Sequence, residues 1–194
     1  MVCLSNPAIA QFIGIDVDYA IAYSAAPGSV TGGSVGISHP APFFPNIGYS
    51  TVSFNDKEDI TDSSESSSSV SLSTKTTIKT INLFYNVPFP VVSISLGFGF
   101  GSDNLYTGVE TETTIVETYI GAKRTEEISE FKTDVTEAFM RIGLPFWSTI
   151  EFHLGYHAMS FTSIDITKSA TLLGNYSIDK KSYSGGMTTI GVQV

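Results

Sequence analysis

His153 and His157 stand four residues apart in a segment, 150–158, that alternates large apolar residues with polar or small ones. Imidazoles of this kind could ligate a metal or act as general bases, and the chain offers companions for them in Asp16, Asp18, Glu137, Arg141 and Glu151. Each chemistry makes a geometric demand. On a strand, four residues place the two histidine Cα atoms roughly 13 Å apart, too far for one ion to bridge, and no Cys or third His stands near them. A hydrolase or acyltransferase site would have to be assembled from His157, Ser160, Asp16 and Asp18, whose spacing brings no base within reach of a nucleophile. The run Gly97-Phe98-Gly99-Phe100-Gly101 has the glycine content of a phosphate loop, but no Lys-Ser/Thr and no helix follow it. The expectation is therefore no catalytic residue, no cofactor and no metal. Asp16, Asp18, Glu137, Arg141, Glu151, His153 and His157 read instead as a polar network on the inner face of a closed sheet.

That reading depends on the elements that carry them. The segment Val91 to Gly101 alternates between Val92, Ile94, Leu96, Phe98 and Phe100 on one face and Ser93, Ser95, Gly97, Gly99 and Gly101 on the other. A soluble antiparallel sheet would put larger polar side chains on its wet face; Gly and Ser suit the cramped interior of a narrow barrel, and the apolar face then meets lipid. Seven other segments follow the pattern, near 12–24, 32–39, 46–55, 70–86, 132–143, 148–163 and 183–194. Asp16 and Asp18 oppose Ile15 and Val17; Glu137 and Arg141 oppose Ala138, Met140 and Ile142; Glu151, His153 and His157 oppose Phe152, Leu154 and Tyr156.

Three segments rich in Pro and Phe, at 39–45, 86–90 and 143–147, mark where pairing stops, because proline cannot donate to a ladder. Folding the chain about Pro88 opposes Tyr85 with Val92, Leu83 with Ile94 and Ile81 with Leu96. Folding it about Pro145 opposes Ile142 with Ile150, Met140 with Phe152 and Ala138 with Leu154, and on the inner face Arg141 with Glu151 and Phe139 with His153. An Arg141–Glu151 pair could fill the lumen or constrict a narrow pore. Tyr85, Phe89, Phe146 and Trp147 fall near the short turns and Tyr19, Tyr23 and Tyr156 near the other rim, as interfacial girdles would. The connections at 55–69, 102–129 and 167–181 are long and polar. The first, acidic and serine-rich, is expected to be mobile and solvated; the second has strand character at 114–120 and extends the wall.

Composition agrees. Hydrophobic residues are 42% of the 194, but charged residues only 15%, against about a quarter in soluble domains. No apolar run approaches the roughly 18 residues of a spanning helix, which leaves a barrel as the membrane-crossing option. The net charge of −9 excludes a nucleic-acid binder. Cys3 can form no internal disulfide, and Ala8-Ile9-Ala10 has the form of a secretory cleavage site, so 1–10 reads as the remnant of a signal peptide whose start lies upstream, and 11–194 as one barrel domain.

On strand count, outward apolar faces and the asymmetry of short turns and long loops, the chain resembles the small eight-stranded outer-membrane barrels, the OmpA- and OmpX-like membrane domains and the opacity proteins. The resemblance implies an all-β, eight-stranded antiparallel up-and-down transmembrane barrel in a bacterial outer membrane. It also implies a monomer in contact with bilayer and lipopolysaccharide, with structural, surface-binding or narrow-pore function and any extracellular ligand at the three long loops. One departure is the ending Gly191-Val192-Gln193-Val194, where such barrels carry a terminal aromatic residue. The rivals are a soluble lipocalin-like barrel around an apolar ligand and a barrel hydrolase or acyltransferase.

Overall fold

The computed structural model describes residues 13–25, 30–39, 41, 44–61, 68–89, 91–119, 122–147, 149–161, 164–170, 174–181 and 184–194. They form twelve strands: β1 (Gly14–Tyr23), β2 (Val30–Ser38), β3 (Asn46–Thr61), β4 (Ser68–Pro88), β5 (Ser93–Gly101), β6 (Gly108–Tyr119), β7 (Ala122–Thr133), β8 (Val135–Trp147), β9 (Ile150–Phe161), β10 (Ile164–Ala170), β11 (Gly174–Lys181) and β12 (Gly185–Gln193). The proposed signal remnant at 1–10 lies outside the described residues.

Eight strands close a ring. β1 pairs β2, then β3, β4, β5, β8, β9 and β12 follow in order, and β12 returns to β1 with Asp16 opposite Gln193 and Tyr19 opposite Ile190, all antiparallel. An even-stranded antiparallel ring leaves no edge in the bilayer and puts both described ends at the end of the short turns. The remaining strands stand on the opposite rim. β4 is 21 residues long; its lower part pairs β5 through Ile81–Pro88, and its upper part, Ser68–Lys79, pairs β6, which pairs β7. At the handover the chain turns sharply through Ser102–Thr107, and Gly108 adopts φ +109°, a conformation that residues with a Cβ rarely hold.

Outside and inside exchange polarity along the barrel. Over its lower part the outward side chains are apolar and exposed: Ile13 just before β1 and Ile15, Val17, Tyr19 and Ile21 on it, Met140, Ile142 and Leu144 on β8, Phe152, Leu154 and Tyr156 on β9. From Ile13 to Ile21 this band runs ~26 Å along the strand, or ~20 Å of membrane thickness at the usual tilt of about 40°. Toward the loop end the outward positions become Thr51, Ser53, Lys79, Thr136 and Ser160, and the inward ones become Val52, Phe54, Ile78, Val109, Val135, Met159, Phe161 and Met187, a buried apolar cluster completed by Ala20, Tyr23 and Val30. The barrel thus has a lipid-facing half with a polar interior and a water-facing half with a hydrophobic core of its own.

Several expectations need correction. Both tested hairpins are displaced four residues: Tyr85 opposes Leu96 and Ile81 opposes Phe100, while Ile142 opposes Leu154, Arg141 opposes Gly155 and Phe139 opposes His157. The Pro/Phe segments do mark where pairing stops, β2 ending at Ser38 before 39–45 and β4 at Pro88, but the prolines are the last rungs or close to them rather than the centres of the turns. Pro88 opposes Ser93 and Pro145 opposes Glu151 inside the ladders, and the chain reverses beyond them. A displacement by an even number preserves the faces, which is why the inside and outside assignments survive. Tyr23 is buried in the lumen, 3% exposed, because a bulge between Ala20 and Ala22 reverses the alternation; Tyr19 and Tyr156 do face outward. Segment 55–69 is not a mobile loop over its described part, since β3 and β4 stay paired up to Thr61 opposite Ser69. The 167–181 segment carries the β10–β11 hairpin. Alternating Ser and Thr, read above as loop composition, build these ladders; Ser53 with Thr77 and Thr74 with Thr113 meet through their hydroxyls across strands.

Candidate functional site

The lower lumen is organised around Arg141. β8 carries this residue on its inner face, and with Gly155 directly opposite on β9 the guanidinium has space to cross toward β1. Its Nη1 donates to Asp16 Oδ2 at 2.6 Å, and its Nη2 forms an ion pair with Asp18 Oδ2 at 3.0 Å. The planar group lies against two adjoining rings, 5.1 Å from the centroid of Phe84 on β4 and 4.8 Å from that of Phe139, which are themselves 6.2 Å apart. Two residues apart on β1, the aspartates share a face and so present a carboxylate pair to one forked donor. Ser34 Oγ of β2 donates to Asp18 Oδ2 at 2.6 Å. On the far side of the pair, His153 Nε2 lies 2.6 Å from Asp18 Oδ1 and 3.6 Å from Asp16 Oδ1. Asp16, Asp18, Arg141 and His153 are all buried.

A second cluster lies one layer nearer the loops. His157 Nδ1 is hydrogen-bonded to Glu137 Oε1, and its Nε2 is 3.1 Å from Thr189 Oγ1 of β12. Thr80 Oγ1 of β4 donates to Glu137 Oε2 at 2.7 Å. The His157 ring stacks on Phe139 at 4.9 Å between centroids, and Phe139 in turn flanks Arg141, so the two clusters share one aromatic wall. Glycine is required opposite that wall, because a Cβ at Gly97 would overlap the Phe139 ring.

All seven sequence-selected residues face the lumen, but not in the pairs expected. Glu151 does not meet Arg141. The four-residue displacement sets Glu151 opposite Pro145 near the turn end, where it accepts a 2.5 Å hydrogen bond from Ser93 Oγ. Gln193, Ser38, Asn86 and Ser95 complete that lowest layer. The candidate hydrolase set is not assembled: Ser160 is exposed on the outer face, opposite in direction to buried His157. Sequence reasoning missed Ser34, Thr80, Phe84 and Thr189. Each has the inward parity of its own strand, the one signal available for them.

Three ligand-type atoms converge, one each from Asp16, Asp18 and His153, all within 4.8 Å of one another. Three buried polar atoms in this part of the lumen, Asp16 Oδ1, Arg141 Nε and Asn82 Nδ2, have no hydrogen-bond partner.

No protein-family model matches the chain, and no curated protein matches it. Among solved structures it is similar to the N-terminal β-barrel domain of OprF from Pseudomonas aeruginosa, at 11% identity and a TM-score of 0.42, over 93% of this chain and 94% of that one. It is also similar to Neisserial surface protein A, at 13% identity and a TM-score of 0.40 over 94% of each chain. The outer membrane protease OmpT from Escherichia coli gives 9% identity and a TM-score of 0.48, over 94% of this chain and 93% of that one.

Proposed function

We propose that the chain is a monomeric outer-membrane β-barrel that anchors and displays a β-structured extension outside the cell, and that it neither conducts nor catalyses. The observation that carries this reading is the exchange of polarity along the ring. An uninterrupted outward band of Ile, Val, Leu, Phe and Tyr belongs in lipid, which disfavours a soluble lipocalin-like carrier. Above it, Phe54, Ile78, Met159, Phe161 and Met187 fill the interior side to side, and below them Arg141 is clasped between strands on opposite walls. An ion crossing the barrel would meet a dry layer and then a paired guanidinium, in an eight-stranded ring about wide enough for side chains alone.

The part left free to act is the wall made by the upper parts of β3 and β4 with β6 and β7. Surface binding there is favoured over a buried reaction, because Asp16, Asp18, His153 and His157 lie beneath the hydrophobic layer, out of reach of an external macromolecule. The protein should need detergent for solubility, migrate differently before and after boiling, and give no steady conductance in a planar bilayer in KCl. Discrete conducting steps from the folded form would overturn the non-conducting reading, and a monodisperse protein in plain buffer would overturn the membrane assignment.

A further inference from the structure

We propose that Asp16, Asp18 and His153 bind one divalent transition-metal ion inside the barrel, with Arg141 holding the carboxylates from the opposite side. The argument starts from which oxygens are taken. Arg141 engages Oδ2 of both aspartates, and Ser34 also donates to Oδ2 of Asp18. The two Oδ1 atoms are turned the other way, toward His153 Nε2. Asp16 is 1% exposed, yet its Oδ1 accepts no hydrogen bond, an arrangement that leaves a buried anionic oxygen aimed into the cluster without a donor.

The spacing suits an ion. Bonds of about 2.1 Å in a tetrahedral site hold ligand atoms about 3.4 Å apart. His153 Nε2 to Asp16 Oδ1 is 3.6 Å, and all three atoms fall within 4.8 Å of one another, so a small opening of the His153–Asp18 contact completes the set. Two carboxylate oxygens and one imidazole nitrogen favour Zn²⁺ or Co²⁺ over Ca²⁺ and Mg²⁺, which take oxygen ligands. Arg141 then performs the service that outer partners give to ligating carboxylates, fixing their rotamers and leaving one oxygen of each for the metal. Charge points the same way. At the cluster, the two carboxylates of Asp16 and Asp18 share the one guanidinium of Arg141, and a divalent cation offsets the remaining negative charge. Between the cluster and the turn end the lumen is lined by the polar side chains of Glu151, Gln193, Asn86 and Ser38, whereas the loop end is closed by the apolar layer.

The test uses the full chain refolded in detergent, with Cys3 replaced by Ser so that no thiolate contributes, and titrated with Co²⁺. The expected result is one-to-one binding with a visible d–d absorption band, displaced by Zn²⁺. His153→Gln and Asp16→Asn should each weaken it by more than about a hundredfold, since loss of a supporting group alone costs about 10–100-fold, while His39→Gln leaves it unchanged. Absence of binding at millimolar Co²⁺, or binding indifferent to His153→Gln and Asp16→Asn, overturns the proposal. Should either variant fail to fold, histidine-selective NMR of the Cys3→Ser protein decides: paramagnetic shifts must be larger at His153 than at His39, and the reverse order overturns it.

Discussion

Replacing Arg141 with methionine should be among the most damaging single changes in the barrel, and its magnitude can be worked from the contacts. Methionine keeps most of the stem against Phe84 and Phe139 but removes the hydrogen-bonded ion pair to Asp16 at 2.6 Å and the ion pair to Asp18 at 3.0 Å, both with carboxylates that are almost wholly buried. Breaking a buried pair by removing one partner costs about 3–5 kcal/mol, because the remaining charge is left uncompensated; here two carboxylates are orphaned, which favours the upper figure. The lost contact of the guanidinium with the two rings adds about 1 kcal/mol. Urea unfolding in lipid or detergent, followed by the fluorescence of Trp147, should show the midpoint falling by ~3 M if the slope is about 2 kcal/mol per M. The companion variant Arg141→Met/Asp16→Asn/Asp18→Asn should recover most of that loss, since exchanging a whole buried ionic group for neutral residues is often near neutral. A single variant within about 0.5 kcal/mol of the wild type, the range of ordinary surface changes, would refute the idea that this group is electrostatically coupled. A triple variant as unstable as the single one would assign the loss to packing instead.

Leu154→Arg places a cation on the lipid face near mid-band and should cost ~2–4 kcal/mol, whereas Ser160→Arg, above the band on the same strand, should cost less than about 1; comparing the two by urea unfolding in lipid locates the bilayer boundary. Gly97→Val should destabilise by at least ~1–3 kcal/mol through overlap with the Phe139 ring, seen as a lower temperature for the boiled-to-folded gel shift. Excising 103–134 and joining Ser102 to Val135 should leave the gel shift intact, because Gly101 and Val135 already face each other across β5 and β8; loss of folding would mean that the extension supports the ring. His157→Ala should cost about 1–3 kcal/mol by leaving Glu137 buried without its imidazole partner, measurable in the same unfolding assay.

The eight ring strands were legible because a period of two is set by the pleat itself, and the inward parity of Asp16, Asp18, Glu137, Arg141, His153 and His157 came with it. What could not be read was who meets whom. Arg141 and Asp16 are 125 residues apart and touch across the lumen, so their meeting depends on the stagger of the closed ring, which no single hairpin reports. The hairpin registers differ for a narrower reason: the turns do not centre on the prolines, because Pro88 is the last rung of β4 and Pro145 is still paired in β8, so the chain reverses two residues further on. Tyr23 was misplaced because a single extra residue in β1 is invisible in composition yet reverses every face beyond it. The apolar interior of the loop end was concealed by the same alternation that revealed the lower half, for there the greasy parity is the inner one.

The seam between β1 and β12 has a consequence for how the molecule assembles. It joins Asp16 to Gln193, so the two sides of the closing contact are about 180 chain positions apart, and bringing them together costs ~4–5 kcal/mol of loop entropy before any rung is gained. Every other ring contact is between strands nearer in sequence, so the seam is the slow, late step. Until β1 docks, Arg141 has no carboxylate and His153 has no aspartate, and both wait in an open sheet; the docking event that zips the seam supplies both. The lumenal salt bridge therefore acts as a latch on ring closure, holding shut the one joint whose reopening would return the chain to an unclosed sheet.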